Sequence, residues 1–149
     1  MTTQQLLAEL EIKRLAERYS DAANRVDVAQ FRSLWTEDAE WLIGPPINQR
    51  FQGRDEVVGA FKHLLGSWDF FVQLSTSCGI TLHGDTATAH FYVNEIARAK
   101  PDGTNSNYNL ARYSDELVRV DGTWLFKKRD YQVLYLDQTP LTGTAFHAK

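Results

Sequence analysis

The apolar residues change period near Phe70, and this limits the architecture more than any other feature of the chain. Before that point they recur every three or four residues, the spacing of one helix face; after it they alternate, the spacing of one sheet face. Thr2 or Thr3 can cap a first helix whose stripe is Leu6, Leu7, Leu10, Ile12, Leu15, Ala16, Tyr19 and Ala22/Ala23. The stripe breaks at Asn24-Arg25-Val26-Asp27, where Asp27 can N-cap a second helix over 28–35 with Phe31, Leu34 and Trp35 inward. A short strand is predicted over 39–43, ended by Gly44-Pro45-Pro46. A third helix over about 55–65 turns Val57, Val58, Phe61, Leu64 and Leu65 inward.

Beyond Gly66 the alternation predicts strands over 70–82, 86–99, 108–120 and 123–136. The connections are a turn at His83-Gly84-Asp85, a loop over 101–105 and a tight turn at Asp121-Gly122. The tail from about Asp137 carries Pro140 and Gly143 and reads as irregular. Helices followed by antiparallel strands make an α+β chain, with helices on one face of a bent sheet. One domain over 1–149 is expected, without repeats or linker.

Composition removes several functions. The apolar fraction of 43% supports a core, and a net charge of −3 with scattered basic residues does not fit nucleic-acid binding. The N-terminus has neither a basic region nor a long apolar run, so no signal peptide, membrane partner or membrane span is expected. The lone Cys78 excludes an internal disulfide and fits a reducing compartment, so a cytoplasmic location is expected. No Gly-rich phosphate loop, CxxC, HExxH or GxSxG is present, and no His/Asp/Glu group has metal-ligand spacing. No metal, nucleotide or flavin cofactor is expected.

Several segments carry a family resemblance. They are Tyr19…Asp27, Phe31…Leu34-Trp35, Asp38-Ala39-Glu40-Trp41, Gly53-Arg54-Asp55, Gly84-Asp85-Thr86-Ala87, Tyr113-Ser114-Asp115-Glu116-Leu117, and Asp121-Gly122-Thr123-Trp124 through Arg129. In order and spacing they resemble the SnoaL-like family of the nuclear-transport-factor-two-like superfamily, over roughly residues 8 to 135. The resemblance implies a cone-shaped α+β barrel, with N-terminal helices packed on a strongly bent, mainly antiparallel sheet. Within the family the chain looks similar to the scytalone dehydratase, bile acid 7α-dehydratase and hexachlorocyclohexane dehydrochlorinase groups. These are cofactor-free, trimeric lyases that use a His as base and an Asp to orient it. The resemblance matches Tyr19 to their first-helix Tyr or Lys, Arg129 to their last-strand Arg, and Trp41 to a pocket-wall Trp. Their Asp and His positions hold Asn24 and Gln73, neither of which accepts a proton near neutral pH.

The residues themselves leave alternatives open. Tyr19 is either a packed core tyrosine or a proton donor at the pocket, becoming a base if Arg129 lowers its pKa. Tyr92, Tyr108 and Tyr113 compete for that role. Alternation puts Leu125, Lys127, Arg129 and Tyr131 on one face of the last strand, so Arg129 either ends a solvated strand or holds an anion. Asp115 is either a general base or the ion-pair partner of Arg129 or Arg112. His90 is the one histidine placed to act as a base, or else it faces a partner subunit. The candidate catalytic residues are Tyr19, Arg129 and Asn24; Trp41, Gln73, Tyr113, Asp115 and Leu125 are candidate substrate-binding residues.

The expected function is a cofactor-independent lyase or isomerase acting on a small apolar aromatic or alicyclic molecule. Elimination, double-bond migration and retro-aldol cleavage all fit. The alternatives are a structural subunit similar to a ring-hydroxylating dioxygenase β-subunit, and a small-molecule binding domain. A homo-oligomer, trimer or dimer, is expected on the outer sheet face carrying Thr88, His90, Tyr92 and Asn94.

Overall fold

The structure is a computed structural model that describes residues 1–100 and 106–147, so the loop expected over 101–105 lies outside the described residues. The chain begins with α1 (Thr3–Arg25). A reciprocal cap starts it: Thr2 Oγ1 accepts from the Gln5 N–H at 3.1 Å, and Gln5 Oε1 accepts from the Thr2 N–H at 2.8 Å. Val26, in the left-handed conformation at φ 54°, ends it. Ile12, Leu15, Ala16, Tyr19, Ala22 and Ala23 are buried, whereas Leu6, Leu7 and Leu10 of the expected stripe are exposed on the first turns. Asp27 caps α2 (Val28–Ser33), accepting from the Gln30 N–H at 2.9 Å. This helix is shorter than predicted because Trp35 already pairs with Phe126 as the start of β1 (Trp35–Ile43). Next come β2 (Gln49–Gln52), unrecognised in the sequence, and α3 (Arg54–Gly66). Four long strands complete the order: β3 (Trp68–His83), β4 (Thr86–Ala99), β5 (Ser106–Val120) and β6 (Thr123–Asp137).

The six strands lie in the order β2-β1-β6-β5-β4-β3. Every neighbouring pair is antiparallel except β1 and β6, which are parallel. The expectation of a cone-shaped barrel on a strongly bent sheet is corrected here. The order is linear, β2 and β3 are its two edges, and the sheet is neither closed nor strongly curled. Closure would need β3 to bond to β2, which is a four-residue strand at the opposite edge. The β3 edge instead receives the side chain of Asn24 from α1.

A second correction concerns facing. Glu116 pairs with Lys128 and Leu117 with Phe126, so Lys127 is an extra residue, a β-bulge, in β6. The bulge shifts the alternation by one position. Trp124 and Phe126 are buried before it, Arg129 and Tyr131 after it. Leu125 thus stands on the opposite face from Arg129, against the expected grouping.

The core sits between the helices and one sheet face. Phe31 stacks on Phe61 with ring centroids 3.7 Å apart, and Trp35 lies 5.6 Å from Phe126. Burial of such aromatic side chains supplies most of the driving force, roughly 1.5–3 kcal/mol for each fully buried large apolar group.

Candidate active site

A cavity of about 110 Å³ lies between α1, α3 and the inner sheet face. That is the scale of an apolar cavity that admits one benzene-sized ring, roughly 150 Å³. Its apolar walls include Trp41 and Ile43 of β1, Phe61, Leu64 and Leu65 of α3, and Phe71 of β3. Its polar wall comes from Tyr19 on α1 and from Gln73, Glu95, Asn109, Tyr113 and Tyr131 on the sheet.

The sheet register creates that polar wall. Gln73 of β3 pairs with Glu95 of β4, and Glu95 pairs with Asn109 of β5, so three polar side chains stand side by side. Two inward-facing positions away, beyond Val93 and Ala111, Phe91, Tyr113 and Tyr131 form a parallel row. Glu95 is the hub. Its Oε1 accepts from Gln73 Nε2 at 2.9 Å. Its Oε2 accepts from the Tyr131 hydroxyl at 3.2 Å and from Asn109 Nδ2 at 3.3 Å. Ser20 donates to Gln73 Oε1 at 2.9 Å, which turns the amide so that its Nε2 faces Glu95. Burial pushes the Glu95 pKa above the usual carboxylate range, against the three donors that lower it. A carboxyl poised in this way is suited to take up and release a proton, and its Oε1 carries the fewer hydrogen bonds.

The phenols differ in character. Tyr113 donates to the Tyr19 hydroxyl at 3.2 Å and receives a long contact from Gln73 Nε2 at 3.5 Å. The two hydroxyls share one hydrogen bond, so one of their two protons is left for a ligand oxygen; with Tyr113 donating, it is that of Tyr19. Burial raises the Tyr19 pKa well above its ordinary value and pushes Tyr113 up to about 12. Burial, followed by the nearby Glu95 charge, also raises Tyr131. All three are neutral hydrogen-bond donors at physiological pH, and the route in which Tyr19 becomes a base is not supported.

Arg129 and Asp115 are buried at 1% and 4% exposure. Their contact is a fork: Nε to Oδ1 at 2.8 Å and Nη2 to Oδ2 at 3.0 Å. Neither is among the residues lining the cavity. The guanidinium carbon lies 3.7 Å from the Tyr113 ring centroid, 4.3 Å from that of Tyr19 and 4.1 Å from that of Phe126. Burial works against its charge, but the Asp115 carboxylate outweighs this and holds the guanidinium protonated. Of the two alternatives for Asp115, the ion pair with Arg129 is the one formed.

Of the sequence-derived candidates, Tyr19, Trp41, Gln73 and Tyr113 converge on the cavity wall. Asn24 does not reach it; its side chain bonds the Gln73 backbone. Leu125 is half-buried on the other phase of β6. His90 is exposed and packs over Gly79, where an added Cβ would meet its ring at 2.6 Å. Glu95, Asn109 and Tyr131 were missed. The signal for Glu95 was present: it continues the apolar phase Ala87, Ala89, Phe91, Val93, where an acid has no place unless it is paired. Among the described residues, no three His, Cys, Asp or Glu side chains group as a metal site, and no helix is long and apolar enough to cross a membrane.

Comparison with solved structures places this arrangement among known folds. A Novosphingobium aromaticivorans protein assigned as a scytalone dehydratase superposes with a TM-score of 0.83 at 21% identity, covering 98% of this chain and 100% of that one. The structure of LinA gives 0.82 at 24% identity, covering 97% of each chain. The hexachlorocyclohexane dehydrochlorinase LinA-type3 of Novosphingobium barchaimii gives 0.81 at 22% identity, again covering 97% of each. No curated protein gives a significant match. A family model described as the SnoaL-like domain matches residues 4–130, from the first helix to the residue after Arg129. With that match covering most of the chain, the protein belongs to the SnoaL-like family.

Proposed function

We propose that the protein is a cofactor-free lyase or isomerase acting on a small, mostly apolar ring that bears a carbonyl or hydroxyl group. The observation that carries this reading is Glu95: a buried carboxyl with a raised pKa, in the wall of an apolar cavity, beside a phenol with a free proton. Glu95 Oε1 takes a proton from a ring carbon next to the carbonyl. The C–H electron pair moves onto the oxygen as an enolate, to which Tyr19 donates a hydrogen bond. The enolate then either expels a leaving group, which departs with the Glu95 proton, or takes that proton back at another carbon. The first outcome is elimination and the second is double-bond migration; both restore the base. The names of the similar structures, a dehydratase and a dehydrochlorinase, are those of elimination enzymes and support the first.

In this reading Glu95 takes the place of a histidine base, and Tyr19 is catalytic together with it. Trp41, Gln73 and Tyr113 contact the substrate, while Asn24 acts through Gln73. The protein works as a cytoplasmic homo-oligomer, with Leu74, Tyr92 and Leu110 supplying exposed apolar surface for the contact. The test is exchange of carbon-bound protons with deuterated water in a panel of cyclic enones and β-substituted cyclic ketones, by NMR. Exchange by the wild-type protein and its loss in Glu95→Gln supports the reading; equal exchange by both refutes it.

A further inference from the structure

Glu95 is the one carboxyl or basic side chain among the described residues that line the cavity. Its partners are the amides of Gln73 and Asn109 and the hydroxyl of Tyr131, all neutral donors. Among the described residues no basic side chain forms a salt bridge with it. Arg129, buried on the same sheet face, is committed to Asp115 by its fork. A carboxyl withdrawn from water without a cation is a costly arrangement, and buried charges are normally paired. A second atom in the same wall also lacks a partner. Asn109 is 3% exposed, and its Nδ2 donates to Glu95 Oε2 at 3.3 Å and to the Tyr131 hydroxyl at 3.2 Å. Turning the amide over would set its oxygen against the carboxylate, so its orientation is fixed and Oδ1 is left buried without a donor. Glu95 Oε1 accepts only from Gln73 and has room for a second donor. The polar wall therefore offers two acceptors in want of donors, one of them on a carboxyl. The rings of Trp41, Trp68, Phe71 and Tyr131 stand around them. Aromatic faces attract a cation, more strongly once water is excluded.

We propose that the cavity is also a binding site for a small ring amine in its ammonium form, which donates N–H groups to Glu95 and to Asn109 Oδ1 while the aromatic walls enclose the ring. One group then supplies both the positive charge that the carboxyl lacks and the donor that Asn109 lacks. A primary or secondary ammonium meets both needs; a quaternary one, without an N–H, meets only the first. The proposal goes beyond the neutral substrate of the proton-transfer reading and does not require Glu95 to act as a base. Where both hold, a bound ammonium occupies the carboxyl that would take the substrate proton, so ring amines are competitive inhibitors. An anionic ring is disfavoured, because it would meet the Glu95 charge at close range.

The probes are cyclohexylamine and cyclohexanol, which share one ring and differ in charge. Both are titrated by calorimetry at about pH 8, below the range in which alkyl amines lose their proton. The wild-type protein should bind the amine at least about tenfold more tightly than the alcohol, the scale of one charge-assisted hydrogen bond. Excess cyclohexanol should displace the amine, which puts both in one cavity. Glu95→Gln, which keeps the shape of the side chain and removes its charge, should lose the preference and keep its affinity for the alcohol. Equal affinity for the two probes in the wild-type protein overturns the proposal, and this comparison needs no variant. An amine preference that survives in Glu95→Gln overturns it as well, because the charge attracting the amine then lies elsewhere. Failure of the proton-transfer reading shows separately, as deuterium exchange that is unaffected by Glu95→Gln while the amine preference is lost.

Discussion

The side-chain amide of Asn24 pairs with both backbone groups of Gln73: its Nδ2 donates to the Gln73 carbonyl at 2.8 Å, and the Gln73 N–H donates to its Oδ1 at 2.7 Å. One residue of α1 thereby occupies the edge of β3 as a neighbouring strand would. The contact fixes the height of Gln73, whose amide in turn holds Glu95. Asn24→Ala removes both hydrogen bonds and should cost about 1–2 kcal/mol in urea unfolding. Asn24→Asp keeps the acceptor but loses the donor, so it should recover only part of that loss.

Glu95→Gln should reduce turnover by roughly 10²–10⁴-fold, the usual contribution of a positioned base. In the wild-type protein kcat/KM should rise with pH through a value above the normal glutamate range and then level off. The phenols add no descending limb where free tyrosine titrates, near about pH 10, because burial holds them neutral there. A pH–rate profile checks both statements.

The same carboxyl makes stability depend on pH. Its folded pKa is raised, so its protonated form favours the folded state. That contribution is complete below the unfolded value, about 4.3, and is lost as pH rises through the folded value. The Tm of Glu95→Gln relative to wild type should therefore increase as pH rises through this window, and stay constant below it. Paired thermal melts from about pH 4 upward, starting near the unfolded value, would show this.

Tyr19→Phe removes the free phenolic proton and leaves the ring stacked on Arg129. It should lower kcat by about 10²–10³-fold, the measured cost of losing one oxyanion donor. Affinity for an apolar ring without oxygen should be unchanged, as calorimetry can test.

Deleting Lys127 should be better tolerated than adding a residue after Lys128. Removal of the bulged residue leaves Phe126, Lys128 and Arg129 in strict alternation opposite Leu117, Glu116 and Asp115, so Arg129 and Tyr131 stay inward. One residue added between Lys128 and Arg129 shifts the alternation again and turns Arg129 outward, and the buried Asp115 then loses its partner, a loss of about 3–5 kcal/mol. Thermal melts of the two variants check this, and Lys127→Ala, which keeps the bulge, should melt close to wild type.

The periodicity of the sequence determined the element order, because the spacing of apolar residues along a segment is a local property of the helix or strand it forms. It located α1 and all four long strands to within a few residues, and β4 with its observed ends. The family resemblance pointed to Tyr19, Trp41 and Gln73, with Tyr113 as a rival to Tyr19; tertiary structure brings these four together on one cavity wall. The parallel pairing of β1 with β6, the four-residue β2 and the open sheet depend on hydrogen bonds between segments far apart in the chain, and no local pattern records them. The inward turn of Arg129 relative to Phe126 required one extra residue in β6, which is visible only against its partner β5. Glu95 became a candidate base for the same reason. Its role comes from neighbours on β3, β5 and β6 and from the loss of water around it, which only the folded chain imposes.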